Sequence, residues 1–402
     1  MNEELAKKPT KVFGLSKNVI VMGVVSFLND LSSDMIFPFI PIFLTSVLGA
    51  TATFVGLVEG VADSTASILK LFSGRLSDYM RRRKPFVVFG YALSAIAKPI
   101  LAAASAPWHV LVVRFIDRVG KGTRDAPRDA LLSLSTEKKN IGRAFGFHRG
   151  MDTLGAAFGP ILAFFLLPVL HNDLRTLFLF SFVASFIAVV ILKIFVREVR
   201  NHADETLRPK LEFKYFGVPF IIFLIAATIF ALGRSSDAFL LLRAQGVGFS
   251  LMLLPILYFV FNITLALVST PVGILSDRFG HRNTFMIGML LFSLTYFLFS
   301  RATTMAEFWL LFPLYGVAMA FTEGVGRAIV ADLVGEEWRA TAYGMYNAFT
   351  GIALLPASLV FGLLWDRYGV ATSFQYGAIL GLIAFVIFLF LRVRNHRRVA
   401  LL

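Results

Sequence analysis

The 402-residue chain contains no cysteine, which excludes disulfides, thiolate metal sites and cysteine nucleophiles. Charge is scarce too. Only 16% of its residues are charged, against about 25% in soluble globular domains. With 57% hydrophobic residues, a water-soluble fold would need an implausibly large buried core. The six histidines show no paired spacing such as HxxxH, and no metal site is expected. No GxxxxGK[ST] string occurs, which argues against a primary ATP-driven pump in this chain. A polytopic membrane enzyme or a receptor without transport is the alternative of another class. It would need a nucleophile–base set or metal ligands at one interface, and neither is visible, so no enzymatic activity and no cofactor are expected.

What the chain has is apolar length. A membrane-spanning helix needs about 20 predominantly apolar residues, and such runs recur from Val19 almost to the C-terminus. The expected spans are 18–47, 53–72, 85–105, 108–133, 142–168, 174–194, 216–242, 250–275, 284–301, 307–333, 340–365 and 370–391. The first run is too long for a cleaved signal peptide and reads as a permanent anchor. The net charge of +14 is not read as a nucleic-acid footprint, because its distribution is that of a membrane topology. Basic residues cluster in Lys7–Lys17, Arg81–Lys84, Lys138–Arg143, Arg197–Lys214, Arg278–Arg282 and Arg392–Arg398. These segments alternate with nearly uncharged connections, leaving roughly two dozen Lys and Arg on one side against about four on the other. Both termini are therefore expected on the cytoplasmic side of the plasma (inner) membrane, and the number of spans is even.

The longest polar connection, 196–215, falls mid-chain and reads as a cytoplasmic linker between six-helix bundles at 1–195 and 216–402. Repeats support the division. Gly74-Arg-Leu-Ser-Asp78 returns as Gly273-Ile-Leu-Ser-Asp277, Ser32-Ser33-Asp34 as Ser235-Ser236-Asp237, and Phe145-Gly146 as Tyr343-Gly344. Each pair lies about 200 residues apart and in the same order, the mark of a duplicated unit. A further echo, Gly362-Leu-Leu-Trp-Asp366-Arg-Tyr-Gly369, points to a smaller three-helix unit within each half. The expected fold is thus an all-α membrane protein with twelve transmembrane helices in two pseudo-symmetric bundles.

Charge sorts the helices. Spans 9 and 12 have no ionisable side chain in their apolar cores, and Lys98 is the exception in spans 3 and 6. A charge at the bilayer centre costs roughly 2.5–3.5 kcal/mol on insertion scales, so spans 1, 2, 4, 5, 7 and 10, which carry charge, must face a wet or protein-lined interior. In span 4, Arg114, Arg118, Lys121, Asp125 and Arg128 recur at helical spacing on one face, with Asp117 and Arg118 near mid-depth. Asp30 and Asp34 lie one turn apart on span 1, and Glu59 and Asp63 repeat that spacing on span 2. Asp30, Asp63 and Arg118 come out at similar depth. Span 5 adds His148, Arg149 and Asp152. In the second half Arg234 and Asp237 read as a local pair, as do Glu323 and Arg327 at i,i+4, while Asn262 and Asn347 are candidate substrate contacts. Such groups either pair helix to helix or serve substrate and proton.

The two loops are candidate gates. A Gly at a helix end permits close helix contact, and Asp78 or Asp277 can accept charge-assisted bonds from Arg82, Arg83, Arg278 or another helix. The bland reading is an ordinary basic topology loop. Gly74-Arg-Leu-Ser-Asp78-Tyr-Met-Arg-Arg82-Arg83 resembles the loop signature of the major facilitator superfamily, and Gly273-Ile-Leu-Ser-Asp277-Arg278-Phe-Gly280-His-Arg282 resembles it more closely. The first copy has Tyr79 and Arg81 where the family has Arg and Gly. Arg114 and Gly120 sit where proton-coupled members resemble one another, with Asp117-Arg118 in place of the usual Gln-Gly. Gly155-Ala-Ala-Phe-Gly159-Pro160 resembles the span-5 signature of exporters that exchange substrate for protons, without its following Gly pair; as chemistry it is a close-packing GxxxG with a helix-bending Pro.

The resemblance covers the whole chain. It implies a monomeric secondary transporter of a small organic solute, proton-coupled and exporting by alternating access, with the proton in place of any cofactor. A carrier of an organic anion or anionic lipid-like molecule, by import or exchange, is the alternative, on the basic face of span 4. The topology is testable: reporter fusions at Asp204 and Leu402 should behave alike and a fusion near Ala50 oppositely. A fusion at Asp204 that reports the outer side would mean that the first six spans are miscounted.

Overall fold

A lipid-immersed backbone must satisfy its own N–H and C=O groups, so an apolar chain of this length has little choice but helix. The computed structural model describes residues 15–80, 82–137, 140–199, 216–335 and 338–390, and within them there is no strand. The helices are α1 (Lys17–Val47), α2 (Ala52–Tyr79), α3 (Lys84–Ala102), α4 (Pro107–Leu134), α5 (Ile141–Val169) and α6 (Leu174–Phe195). They continue with α7 (Val218–Gly246), α8 (Leu253–Phe279), α9 (His281–Arg301), α10 (Met305–Leu333), α11 (Arg339–Tyr368) and α12 (Val370–Leu389). Eleven are long and apolar enough to cross a membrane by length and composition. The twelfth, α4, has the length, 28 residues, but carries eight charged side chains from Arg114 to Asp129. Most of the linker expected at 196–215 lies outside the described residues.

The helix ends follow local chemistry. Asp173 caps α6, its carboxylate accepting from the N–H groups of Arg175 (3.0 Å) and Thr176 (3.2 Å). Thr304 and Glu307 form a reciprocal capping box on α10. Two helices are irregular. In α1 the prolines at 38 and 41 remove backbone donors, and the helix tightens to a 3-10 turn at Phe37–Phe39 and widens to a π turn at Phe43–Val47. α7 breaks between Val218–Gly233 and Ala238–Gly246. Its Ser235-Ser236-Asp237 therefore lies in a break, whereas the matching Ser32-Ser33-Asp34 is continuous helix. The sequence echo does not carry over into backbone.

The chain forms two compact units, Met1–Phe37 with Leu69–Ala104 and Phe115–Asp204, and Pro38–Ile68 with Ser105–Arg114 and Glu205–Leu402. This partition is not the chain midpoint, since α1, α2 and α4 each contribute their two ends to different units.

In the first unit α5 lies along α1. A Cβ built on Gly159 would sit 2.7 Å from the Leu31 carbonyl oxygen and the Met35 nitrogen, so only glycine allows this approach. Gly90 of α3 and Gly120 of α4 meet the same way. Around them Val19, Met22, Tyr91, Leu131, Ala188 and Leu192 form an apolar core. The chain just beyond α6 is tied down here. Asn18 exchanges hydrogen bonds with the Arg197 backbone (2.9 and 3.0 Å), and the Glu198 carboxylate accepts from the Arg83 (3.1 Å) and Lys84 (2.9 Å) N–H groups, capping α3.

The second unit has an aromatic core. Phe292 and Tyr296 lie 4.2 Å apart, and Phe230, Phe285, Phe361 and Phe374 extend the network. Much of the phenylalanine content thus packs helix on helix, while α3, α6, α9 and α12 also keep apolar stripes exposed.

Glycine spacing on α5 gives a direct test. Gly159→Ala should cost about 1–3 kcal/mol by overpacking and lower the thermal midpoint of the purified protein. Gly142→Ala, on the same helix with nothing within 4 Å of the added methyl, should leave it unchanged or raise it through helix propensity. Equal behaviour of the two variants would refute the packing assignment.

Candidate functional site

Charged groups within the spans gather in two clusters, one in each unit. The first is built on α4. Arg124 is buried against α3: its guanidinium lies 4.3 Å from the Tyr91 ring centroid and donates to Ser94 Oγ at 2.7 Å. The close Gly90–Gly120 crossing makes that reach possible. Arg128 bonds Asp129 (3.0 Å) and approaches Asp125 (3.9 Å), and Arg118 Nε lies 3.8 Å from Asp117. Lys121 is exposed although it sits within the span.

Facing these are carboxylates of α1 and α5. Asp30 takes a hydrogen bond from Asn29 (3.1 Å) and lies within electrostatic reach of Asp152, Lys121 and Arg124. Asp34 is within reach of Asp30, Lys121, Arg118 and Lys98. Lys98 is buried on α3; its ammonium donates to Ser185 Oγ on α6, Ser185 donates to Ser32 Oγ on α1 (2.8 Å), and Ser32 donates to the Ser181 carbonyl. Three helices are thus joined through one lysine and a hydroxyl chain. On α5, His148 Nδ1 lies 3.5 Å from Asp152 Oδ2. His148 Nε2 and Asp152 Oδ1 are buried without a hydrogen-bond partner among the described residues. Arg149 is exposed.

The second cluster begins with a buried fork. Arg114 donates from Nε to Glu59 Oε1 (3.1 Å) and from Nη2 to Oε2 (2.7 Å), with side chains 7% and 1% exposed. Arg234 pairs with Glu323 on α10 (3.0 Å), and Asp237 accepts the Tyr315 hydroxyl (2.8 Å). Two local readings are corrected here. The break in α7 turns Arg234 and Asp237 to different partners instead of to each other, and Glu323 pairs with Arg234 instead of Arg327. Asp63 lies within electrostatic reach of Asp237, and Arg327 of Tyr346. Asn262 spends its amide N–H on the Tyr258 carbonyl of its own helix (3.1 Å), and Asn347 is half-buried.

Among the gate residues, Gly74 approaches Ala126 of α4 and Arg83 is buried beside Glu198. Arg82 and Arg278 are exposed and Gly273 is half-buried. The Asp78 side chain lies outside the described residues. Asp277 meets His281 Nε2 (3.3 Å), whose Nδ1 meets Asp332 (2.6 Å).

Of the residues expected to act together, the structure groups Asp30, Asp34, Asp117, Arg118, Lys121, Arg149 and Asp152 in the first unit. It puts Glu59, Asp63 and Arg114 in the second. Arg124 and Lys98 are the central residues that helical periodicity alone had passed over. Their signal was the presence of a cation on spans whose lipid face is apolar.

The family model described as Major Facilitator Superfamily matches residues 22–266 and 223–401. The chain belongs to this superfamily. An MFS-type transporter of Methanocaldococcus jannaschii is 36% identical, with 94% of this chain and 95% of that protein covered. The crystal structure of a variant of the nucleoside transporter NupG has the same fold, with a TM-score of 0.80, 16% identity and 92% and 98% of the chains covered. A multidrug resistance protein, MdtH, of Photorhabdus laumondii is 30% identical over 162 residues, 40% of this chain and 38% of that protein. This superfamily member is therefore a multi-pass membrane transporter of the MFS type, and its in-span charges belong to a protein that carries small molecules.

The Glu59–Arg114 fork predicts a non-additive pair. Arg114→Leu alone strands a buried carboxylate, a loss of about 3–5 kcal/mol, and should sharply reduce folded protein. Glu59→Leu with Arg114→Leu should recover much of it. Size-exclusion profiles of the tagged variants read this out, and a double variant no better than the single one contradicts the pairing.

Proposed function

We propose that the protein is a proton-coupled secondary transporter that exports a small organic solute by alternating access. In this reading two six-helix bundles, 1–195 and 216–402, rock about a central site in the plasma (inner) membrane, with both termini cytoplasmic. The observation that carries the proposal is the loose pairing around Asp30 and Asp34. Both lie within reach of several cations on α3 and α4, yet neither makes an ion pair among the described residues. A purely structural charge at this depth would be expected to lock onto one partner, as Glu59 does on Arg114. A carboxylate that shares its cations can take up a proton, release its hold on Lys121 and Arg124, and so loosen α1 from α4. Binding of solute or return of the anion restores the tie. The direction of transport rests on Gly155-xxx-Gly159-Pro160 and on the partial likeness to MdtH, whose name is that of a multidrug resistance protein.

A second reading has its own support. Lys121 and Arg149 are exposed cations within spans, which favours an organic anion or an anionic lipid-like molecule as the cargo.

Proteoliposomes with an imposed pH gradient and an entrapped pH-sensitive dye separate these. Lipophilic cations and organic anions are offered in turn, and the active class should move protons in the wild type. Asp30→Asn with Asp34→Asn should abolish gradient-driven accumulation while downhill exchange persists. Full accumulation by that double variant would refute proton coupling at this site.

A further inference from the structure

Gly273-Ile-Leu-Ser-Asp277-Arg278-Phe279-Gly280 has a counterpart that the transport reading leaves unused, Gly362-Leu-Leu-Trp-Asp366-Arg367-Tyr368-Gly369. The two match in backbone as well as in sequence. Each closes a long helix at a glycine of positive φ, 90° at Gly280 and 87° at Gly369, which other residues adopt only with strain. Each glycine N–H donates to the carbonyl four residues back, Ser276 at 2.9 Å and Trp365 at 3.1 Å, and the next helix starts at once.

The two carboxylates differ in what they hold. Asp277 meets His281 of the neighbouring helix start. Asp366 reaches α2, accepting the N–H of Ala52 at Oδ1 (3.0 Å) and, at Oδ2, the N–H (2.7 Å) and hydroxyl (2.5 Å) of Thr53. Those N–H groups belong to the first turn of α2, where donors lack helical acceptors and the helix dipole is positive. Below this contact α2 and α11 touch backbone to backbone. A Cβ on Gly60 would lie 2.9 Å from the Leu355 backbone and one on Gly362 2.5 Å from the Ala52 carbonyl, and Gly56 faces the Ser358 carbonyl more closely still. Ser64 Oγ donates to the Gly351 carbonyl at 2.9 Å and is buried.

We propose that Asp366 is the latch of the outer gate, an N-cap that α11 supplies to α2, released whenever the outer ends of these helices part and remade when they meet. The proposal rests on the alternating-access reading and on the topology that puts the α1–α2 and α11–α12 connections outside. Asp366 is solvent-exposed and its two bonds to the half-buried Thr53 lie at the surface, so water takes over the freed donors once the helix ends part. That keeps release reversible, as a gate requires. A fully buried cap would be too costly to break on every cycle.

The absence of cysteine makes the test direct. Ser64→Cys places one thiol in the α2–α11 contact, reachable by a membrane-impermeant maleimide from outside only when the outer ends part. In that background Asp366→Ala should raise the labelling rate about five- to tenfold, the population change that follows loss of a good N-cap. Asp366→Asn should raise it less, and Arg367→Ala, an exposed neighbour, should not change it. Unchanged labelling in folded Asp366→Ala overturns the latch. Should that variant not accumulate, Asp366→Asn decides: a rise of about twofold or more supports the latch, and the parent rate overturns it. Asp78→Asn and Asp277→Asn in the same background isolate the underlying reading. If they shift labelling and the Asp366 variants do not, the latch alone fails; if none of them shifts it, alternating access fails as well.

Discussion

A charge inside a low-dielectric slab must be solvated by something, and this condition arranges the rest of the molecule. α4 shows it most clearly. Among the described residues it is the one long helix too charged to pass as a membrane span by composition, yet in the superfamily fold it crosses with the others. It can do so because its cations are given partners: Glu59 for Arg114, Tyr91 and Ser94 for Arg124, Asp125 and Asp129 for Arg128. The helices that surround it are chosen by those partners as much as by shape.

Between membrane helices the hydrophobic effect offers little discrimination, since lipid is as apolar as leucine. Close approach then depends on residues that leave room. Gly90 against Gly120 brings Arg124 onto Tyr91, and Gly155 and Gly159 bring α5, with His148 and Asp152, onto the Asp30 face of α1. The small-residue contacts and the charge clusters are therefore parts of one arrangement. The second unit solves packing differently, with interlocked rings from Phe230 to Phe374, and correspondingly its charges form discrete pairs instead of a shared network.

Periodicity and charge distribution made the twelve helices and their order legible, because apolar length is a local property of sequence. The halves of the charge inventory were legible for the same reason. Pairings were not. Arg234 lies three residues from Asp237, and spacing alone makes them partners, but a break in the helix at Ser235-Ser236 sends one to Glu323 and the other to Tyr315. The Glu198 cap on α3 joins residues more than a hundred positions apart and leaves no trace in local pattern. Depth arithmetic put Asp30, Asp63 and Arg118 at one level, yet depth says nothing of the rotation of a helix about its axis. Asp63 lies within electrostatic reach of Asp237, and Arg118 lies 3.8 Å from Asp117 and within electrostatic reach of Asp34.

The recurrence of Gly-xxx-Asp-Arg-x-Gly separates what short sequence can and cannot specify. Eight residues are enough to end a helix, set a glycine at positive φ and begin the next helix with a carboxylate near the corner, and they do so in the same way at Gly280 and Gly369, with φ of 90° and 87°. They do not choose the acceptor's partner. At Asp277 the next helix begins with histidine, whose ring reaches back at i,i+4 and links onward to Asp332, so the carboxylate is occupied at home. After Asp366 the equivalent position is Val370, which offers no donor, and the carboxylate is left to cap whatever helix start the fold brings to it. A single side chain at the start of the following helix thus decides whether the same corner holds its own bundle together or holds another helix.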